Sequence, residues 1–301
     1  QNGTMVNTSI TSTGGSVTVN AEHGDIYVGK VKTEDTINAK QNVNLNVTGG
    51  TITVNGTTQT QKGDITVEAL NDAGKQNIVI TSNGMLDSGR DLTMHVTNGD
   101  IKVTGNTLAK EDMTVTIGNE GSVTFERNVD VTGKVTATTN NGDITIGEDI
   151  NAGQNVNMTV KGTGNIQVGG SNGKGNVVAK NDVALTVNSG DIAVDKTVKS
   201  QTGDVDVTAN NGNIKIGDNK DADTISAYKD VNLTSKNGMI TILGKTATET
   251  GDVNVTVEHA AYNTGNKSVV FDANGQIVAA QDVKMSIKNG DLVVTDDVKN
   301  R

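Results

Sequence analysis

The chain has 301 residues and a net charge of −10, from 25 Lys and Arg against 35 Asp and Glu; it has no Cys, no Pro, 36 Gly and 2% aromatic residues. The acidic balance argues against nucleic acid and anionic lipid as main partners, the lack of Cys removes disulfides and thiolate metal sites, and no apolar run approaches the roughly 20 residues that span a bilayer, so membrane insertion is not expected. With so few aromatics, any core has to be filled by Val, Ile, Leu and Met.

The chain opens on Gln1 without a Met-led apolar leader, so an export signal is expected to be already removed or to lie outside these residues. Gly3 and Met5 read as the beginning of a strand. A first full unit of three strand-like pieces follows. The first piece is apolar-x-small and begins at Ile10; the second is the alternation Val17-Thr18-Val19-Asn20-Ala21; the third follows Asp25. The first piece then recurs at Ile37, Thr58, Leu86, Thr107, Val129, Ile150, Val177, Val198, Ile225, Thr246 and Ile277, and a last copy is cut short at Val298. Steps between these starts range from 21 to 31 residues, with a mean of 24. The copy at 177–194, "VVAKNDVALTVNSGDIAV", shows all three pieces.

Strict period-2 alternation predicts strands with one buried face. Three short strands cannot close a core alone, whereas stacked units can. The expected fold is therefore all-β: a three-sided parallel β-helix (β-solenoid) of about twelve rungs of roughly 24 residues, a single segment over 1–301. Right-handed winding follows the general handedness of parallel crossovers. About seven side chains per rung should point inward, and Met94, Met113, Met158 and Met285 fall in those columns. The missing proline fits strands that all donate amides to neighbours. Gly99, Gly142, Gly190 and Gly238 stand where corners need positive φ or tight approach. Corners before the second piece come in two lengths; the longer ones are "STGGSV", "TQKGDI", "SQTGDV" and "TETGDV".

Units such as "AGQNVNMTVKGTGNIQV" (152–168) and "GDVDVTANNGNIKI" (203–216) resemble the repeats of filamentous haemagglutinin-like exoproteins, the long adhesins and toxin stalks exported by two-partner secretion in Gram-negative bacteria. The resemblance spans essentially the whole chain and implies a β-helical passenger segment. That family's secretion domain carries proline-containing motifs, and none can be present here.

Stacking would turn columns of residues into ladders. The residue before the second piece runs Ser16, Asn42, Asp64, Asp91, Asp112, Lys134, Asn155, Asp182, Asp204, Asp230, Asp252 and Asp282, and a second acidic column precedes the third piece. Asp and Asn at corners bond nearby amides. Calcium between adjacent carboxylates is the other reading, with Asp182, Asp204, Asp230, Asp252 and Asp282 as its ligands; the calcium-binding GGxGxDxUx repeat is absent. His23, His95 and His259 are too scattered for a His-based metal cluster. The longest insertion, "EHAAYNTGNKS" at 258–268, carries His259 and Tyr262 and is the expected binding loop. No catalytic residue and no cofactor is expected, because a site would break the repeat. The expected role is a structural or adhesive stalk, secreted and extracellular or at the cell surface. Its partners would be a host or cell-surface protein or glycan, and further copies or flanking repeats end to end. The alternatives are a subunit of an extracellular filament and a β-helix enzyme acting on polysaccharide.

Overall fold

The computed structural model describes residues 4–6, 9–29, 35–70, 77–169, 175–217, 224–259, 267–271, 275–288 and 290–294. These form strands and turns, with no helix. The fold is an all-β parallel solenoid with three sheets, one for each strand-like piece. All twelve expected first pieces, from Ile10 to Ile277, fall in strands, and a second-piece strand follows each. Val298 lies outside the described residues.

The chain divides into two compact units. In the first, Gln1–Asp143 with Glu148–Gly153, each strand pairs in parallel with the equivalent strand of the next rung. Leu92 stands against Met113 and Met94 against Val115, so like stacks on like. The strand at Thr4–Val6 pairs with Ile26–Val28, as the opening residues suggested. In the second unit, Ile144–Gly147 with Gln154–Arg301, the same rule holds: Val183 stands against Val205 and Leu185 against Val207. Alternation sets the burial. Within 177–194 the inward side chains are Val177, Ala179, Val183, Leu185, Val187, Ile192 and Val194, all fully buried. That is the expected seven per rung.

Met94, Met113 and Met158 are fully buried, but Met285 is 37% exposed and its neighbour Val283 46%. Met285 keeps its column, opposite Val255. Among the described residues, no strand pairs with the other edge of Val283–Ile287, so the core position lies open.

Two corner devices fix the turns. Gly190 has φ of 143°, and a Cβ there would run into the Gly164 carbonyl. Gly238 is held to glycine by approach instead, its Cβ position meeting the Gly212 carbonyl. Stacked glycines also share amides: Gly99 donates its N–H to the Glu120 carbonyl at 2.7 Å. In the long corners, the first piece ends in Ser or Thr, whose hydroxyl holds the extra residue. Gly15 N–H donates to Ser12 Oγ at 3.1 Å and Gly203 N–H to Ser200 Oγ at 2.9 Å. Thr60 Oγ1 donates to the Gly63 carbonyl at 2.6 Å and Thr248 Oγ1 to the Gly251 carbonyl at 2.7 Å.

Candidate functional site

The acidic column before the second-piece strands forms a hydrogen-bonded ladder in each unit. In the second unit, Asp182 Oδ1 accepts the Asp204 N–H at 3.0 Å, and Asp204 Oδ1 accepts that of Asp230 at 2.9 Å. Asp230 Oδ1 takes the Asp252 N–H at 2.8 Å, and Asp252 Oδ1 that of Asp282 at 2.9 Å. The backbone carbonyl is used as well: Asp204 accepts the Val183 N–H at 3.0 Å. The first unit repeats the arrangement from Ser16 to Lys134 with any residue that offers an acceptor oxygen, Ser, Asn or Asp. Lys134 closes that series because its role there needs only its amide. This is the corner chemistry expected of Asp and Asn, extended from one turn to the next rung.

Paired strands lie about 4.8 Å apart, so the carboxylates of neighbouring rungs repel. Basic and amide groups relieve part of this. Lys134 Nζ lies 3.2 Å from Asp112 Oδ2, and Arg90 lies between Asp64 and Glu111 at 3.8 and 3.4 Å. Asn155 Nδ2 donates to Asp182 Oδ2 at 3.1 Å. Lys284 Nζ donates to Asp252 Oδ2 and lies 3.7 Å from Asp282 Oδ2. The Lys284 hydrogen bond, and after it the Asp282 amide, hold the Asp252 carboxyl below its ordinary value. The same bond raises the Lys284 ammonium. Calcium takes six to eight oxygens converging on one point. Here four of the five candidate carboxylates, Asp182 to Asp252, already give one oxygen to an amide. Among the described residues no three His, Cys, Asp or Glu side chains come together in a group able to hold a metal ion.

Of the expected binding loop, His259 is the last residue of the strand Val253–His259; it is exposed and stands opposite Asn237. Asn237 Nδ2 donates to Asn211 Oδ1 at 2.8 Å, so the histidine continues a corner already lined by amides. Tyr262 lies outside the described residues. Sequence reasoning missed one surface feature. A hollow of about 260 Å3 on the outer face of the third-piece sheet of the second unit is lined by Asp191, Ala193, Asn213, Lys215, Met239 and Thr241. Ala193 stands opposite Gln167 on one side and Lys215 on the other. Both reach past it to Asp195, Gln167 Nε2 at 2.8 Å and Lys215 Nζ at 3.1 Å. The signal was a small residue where other copies place larger ones, such as Tyr27, Val79, Gln167, Lys215 and Thr241.

Comparison with family models, with characterised proteins and with solved structures finds no match for this chain.

Proposed function

We propose that the chain is a structural and adhesive stalk segment of a secreted or surface-exposed bacterial exoprotein of the filamentous haemagglutinin-like kind, and not an enzyme. The observation that carries this reading is the corner ladder. The polar side chains that recur from rung to rung bind the amides of the next rung, which a scaffold requires and a reaction centre does not. The stalk projects a binding region or touches host or neighbouring cells. Its partner is a host or cell-surface protein or glycan, engaged in part through His259 and Tyr262. The test is saturable binding of the purified chain to immobilised glycans and cell-surface proteins, compared with a His259→Ala, Tyr262→Ala double variant. Weaker binding by the variant supports the reading. Release of reducing ends from a polysaccharide panel would replace it with the enzyme.

A second reading is a filament subunit stacking head to tail. Sedimentation over a wide concentration range separates the two: growth with concentration favours the filament, a single species the stalk.

A further inference from the structure

The bonds that join side chain to backbone between rungs have a direction. At the corner before the second piece, bonds of 2.8–3.3 Å among the described residues take the backbone N–H of one rung to a side-chain oxygen of the rung before it. At the corner before the third piece, bonds of 2.7–3.1 Å among the described residues run the same way, including Asn213 N–H to Asp191 Oδ1. The remaining corner has Thr36 N–H on Ser9 Oγ and Thr197 N–H on Asn176 Oδ1. The long-corner hydroxyls join in, with Gly89 N–H on Thr60 Oγ1 and Ala280 N–H on Thr248 Oγ1. Where the side chain is the donor, the sense persists: Asn55 Nδ2 donates to the Gly29 carbonyl, Thr104 Oγ1 to that of Ile80 and Ser235 Oγ to that of Gly212. In every one of these bonds the later rung donates and the earlier rung accepts.

Backbone bonds of a parallel sheet run both ways between neighbours, and so do bonds between side chains, as Asn155 to Asp182 shows, so this polarity belongs to the bonds between side chain and backbone. It makes the two edges of a folded rung unequal. On the C-terminal edge, acceptors such as Asp204 Oδ1 stand on ordered backbone before the next rung arrives. The arriving corner needs to bring only an amide, which every residue of this proline-free chain has. On the N-terminal edge the waiting group is a bare amide. The arriving segment must then supply a side chain of the right type in the right rotamer while it is still losing backbone entropy.

We propose that the corner ladders make rung addition directional: each folded rung is the template for the rung that follows it, and within each unit the fold propagates from N- to C-terminus. The experiment is pulse-labelled hydrogen exchange during refolding of the full chain, read by mass spectrometry on peptides from 177–194 and 224–242, which flank the rung of Asp204. In the wild type, 177–194 gains protection first. Asp204→Ala removes the acceptor for the Asp230 amide. It should delay protection of 224–242 severalfold, leave 177–194 at wild-type timing, and raise native-state exchange at the Asp230 amide by about tenfold. Asp204→Asn keeps an acceptor oxygen and should restore wild-type order. Simultaneous protection of the two segments, protection of 224–242 first, or equal delay on both sides in Asp204→Ala would each overturn the proposal. If Asp204→Ala does not fold, the wild-type order alone decides.

Discussion

Leu185 is fully buried, with Met158 and Val207 beside it in the register, while Thr186 faces outward between Thr159 and Thr208. Leu185→Asp is expected to cost about 3–5 kcal/mol, the penalty of an uncompensated buried charge. Thr186→Asp should stay within about 0.5 kcal/mol, as surface changes usually do. Thermal melts of the pair check this, and equal shifts would remove the register. Three inward threonines behave differently. Thr58, Thr107 and Thr246 are buried, with Oγ1 unbonded, in a column where other rungs carry Ile, Leu or Val. Valine keeps their shape and removes the stranded hydroxyl. Each Thr→Val change is therefore expected to stabilise by about 1 kcal/mol, read as a higher melting temperature; a lower one would mean that the hydroxyl is satisfied. Asp252 gives a pH signature. Its folded pKa is lowered by Lys284 and the Asp282 amide, so its contribution is complete above the unfolded carboxyl value and is lost as pH falls through the folded one. Asp252→Asn keeps the amide acceptor and loses the ion pair. The melting-temperature gap between wild type and variant should be small at neutral pH, because the pair is exposed, and should close in acid. A gap that persists in acid would assign the difference to something other than this charge.

At the scale of strands and corners, the long corners hang on single hydroxyls. Thr60 Oγ1 donates to the Gly63 carbonyl and accepts the Gly89 amide, so Thr60→Ala should cost about 1–2 kcal/mol, measurable by denaturant titration. Thr58→Val, two residues away, should move the other way. If the acidic column bound calcium, the ion would raise the melting temperature by mass action. With the Oδ1 atoms of Asp182, Asp204, Asp230 and Asp252 engaged by amides, calcium is expected to do no more than magnesium does by screening. The strands were legible because alternation of period 2 is a local signal; Val183 to Val187 declares its buried face without reference to any other rung. The corner columns were legible as residue types, since Asp204, Asp230 and Asp252 recur at one place in the template. The direction of their bonds was not, because it depends on which neighbouring rung each side chain leans toward. Nor was the hollow at Ala193, which exists because Lys215 and Met239 come close only after two more rungs are wound. The pairing of hydroxyl and long corner was in the sequence all along: Ser12, Thr60, Ser200 and Thr248 end the four first pieces that precede the long corners.

At the scale of the molecule, each rung bonds only to its neighbours, so stability is close to a sum of nearest-neighbour terms. Leu185→Asp should then strip hydrogen-exchange protection from the strands beside it and leave Ile65–Ala69 nearly as protected as in the wild type; uniform loss along the chain would show a single cooperative unit. The stacked glycine amides bear on how the chain ages. Asn followed by Gly is where a polypeptide most readily loses side-chain ammonia, because the glycine nitrogen can close on the carboxamide carbon to form a succinimide. The chain contains ten such pairs, among them Asn55-Gly56, Asn83-Gly84 and Asn98-Gly99. In these three the glycine nitrogen is already engaged, its N–H donated to the carbonyls of Val28, Thr81 and Glu120 at 3.1, 2.8 and 2.7 Å. At these pairs, hydrogen bonds that hold rungs and turns together thus also shelter bonds exposed to slow chemical decay. Long incubation at mildly alkaline pH should deamidate these asparagines far more slowly in the folded chain than in urea, as peptide mass spectrometry would record.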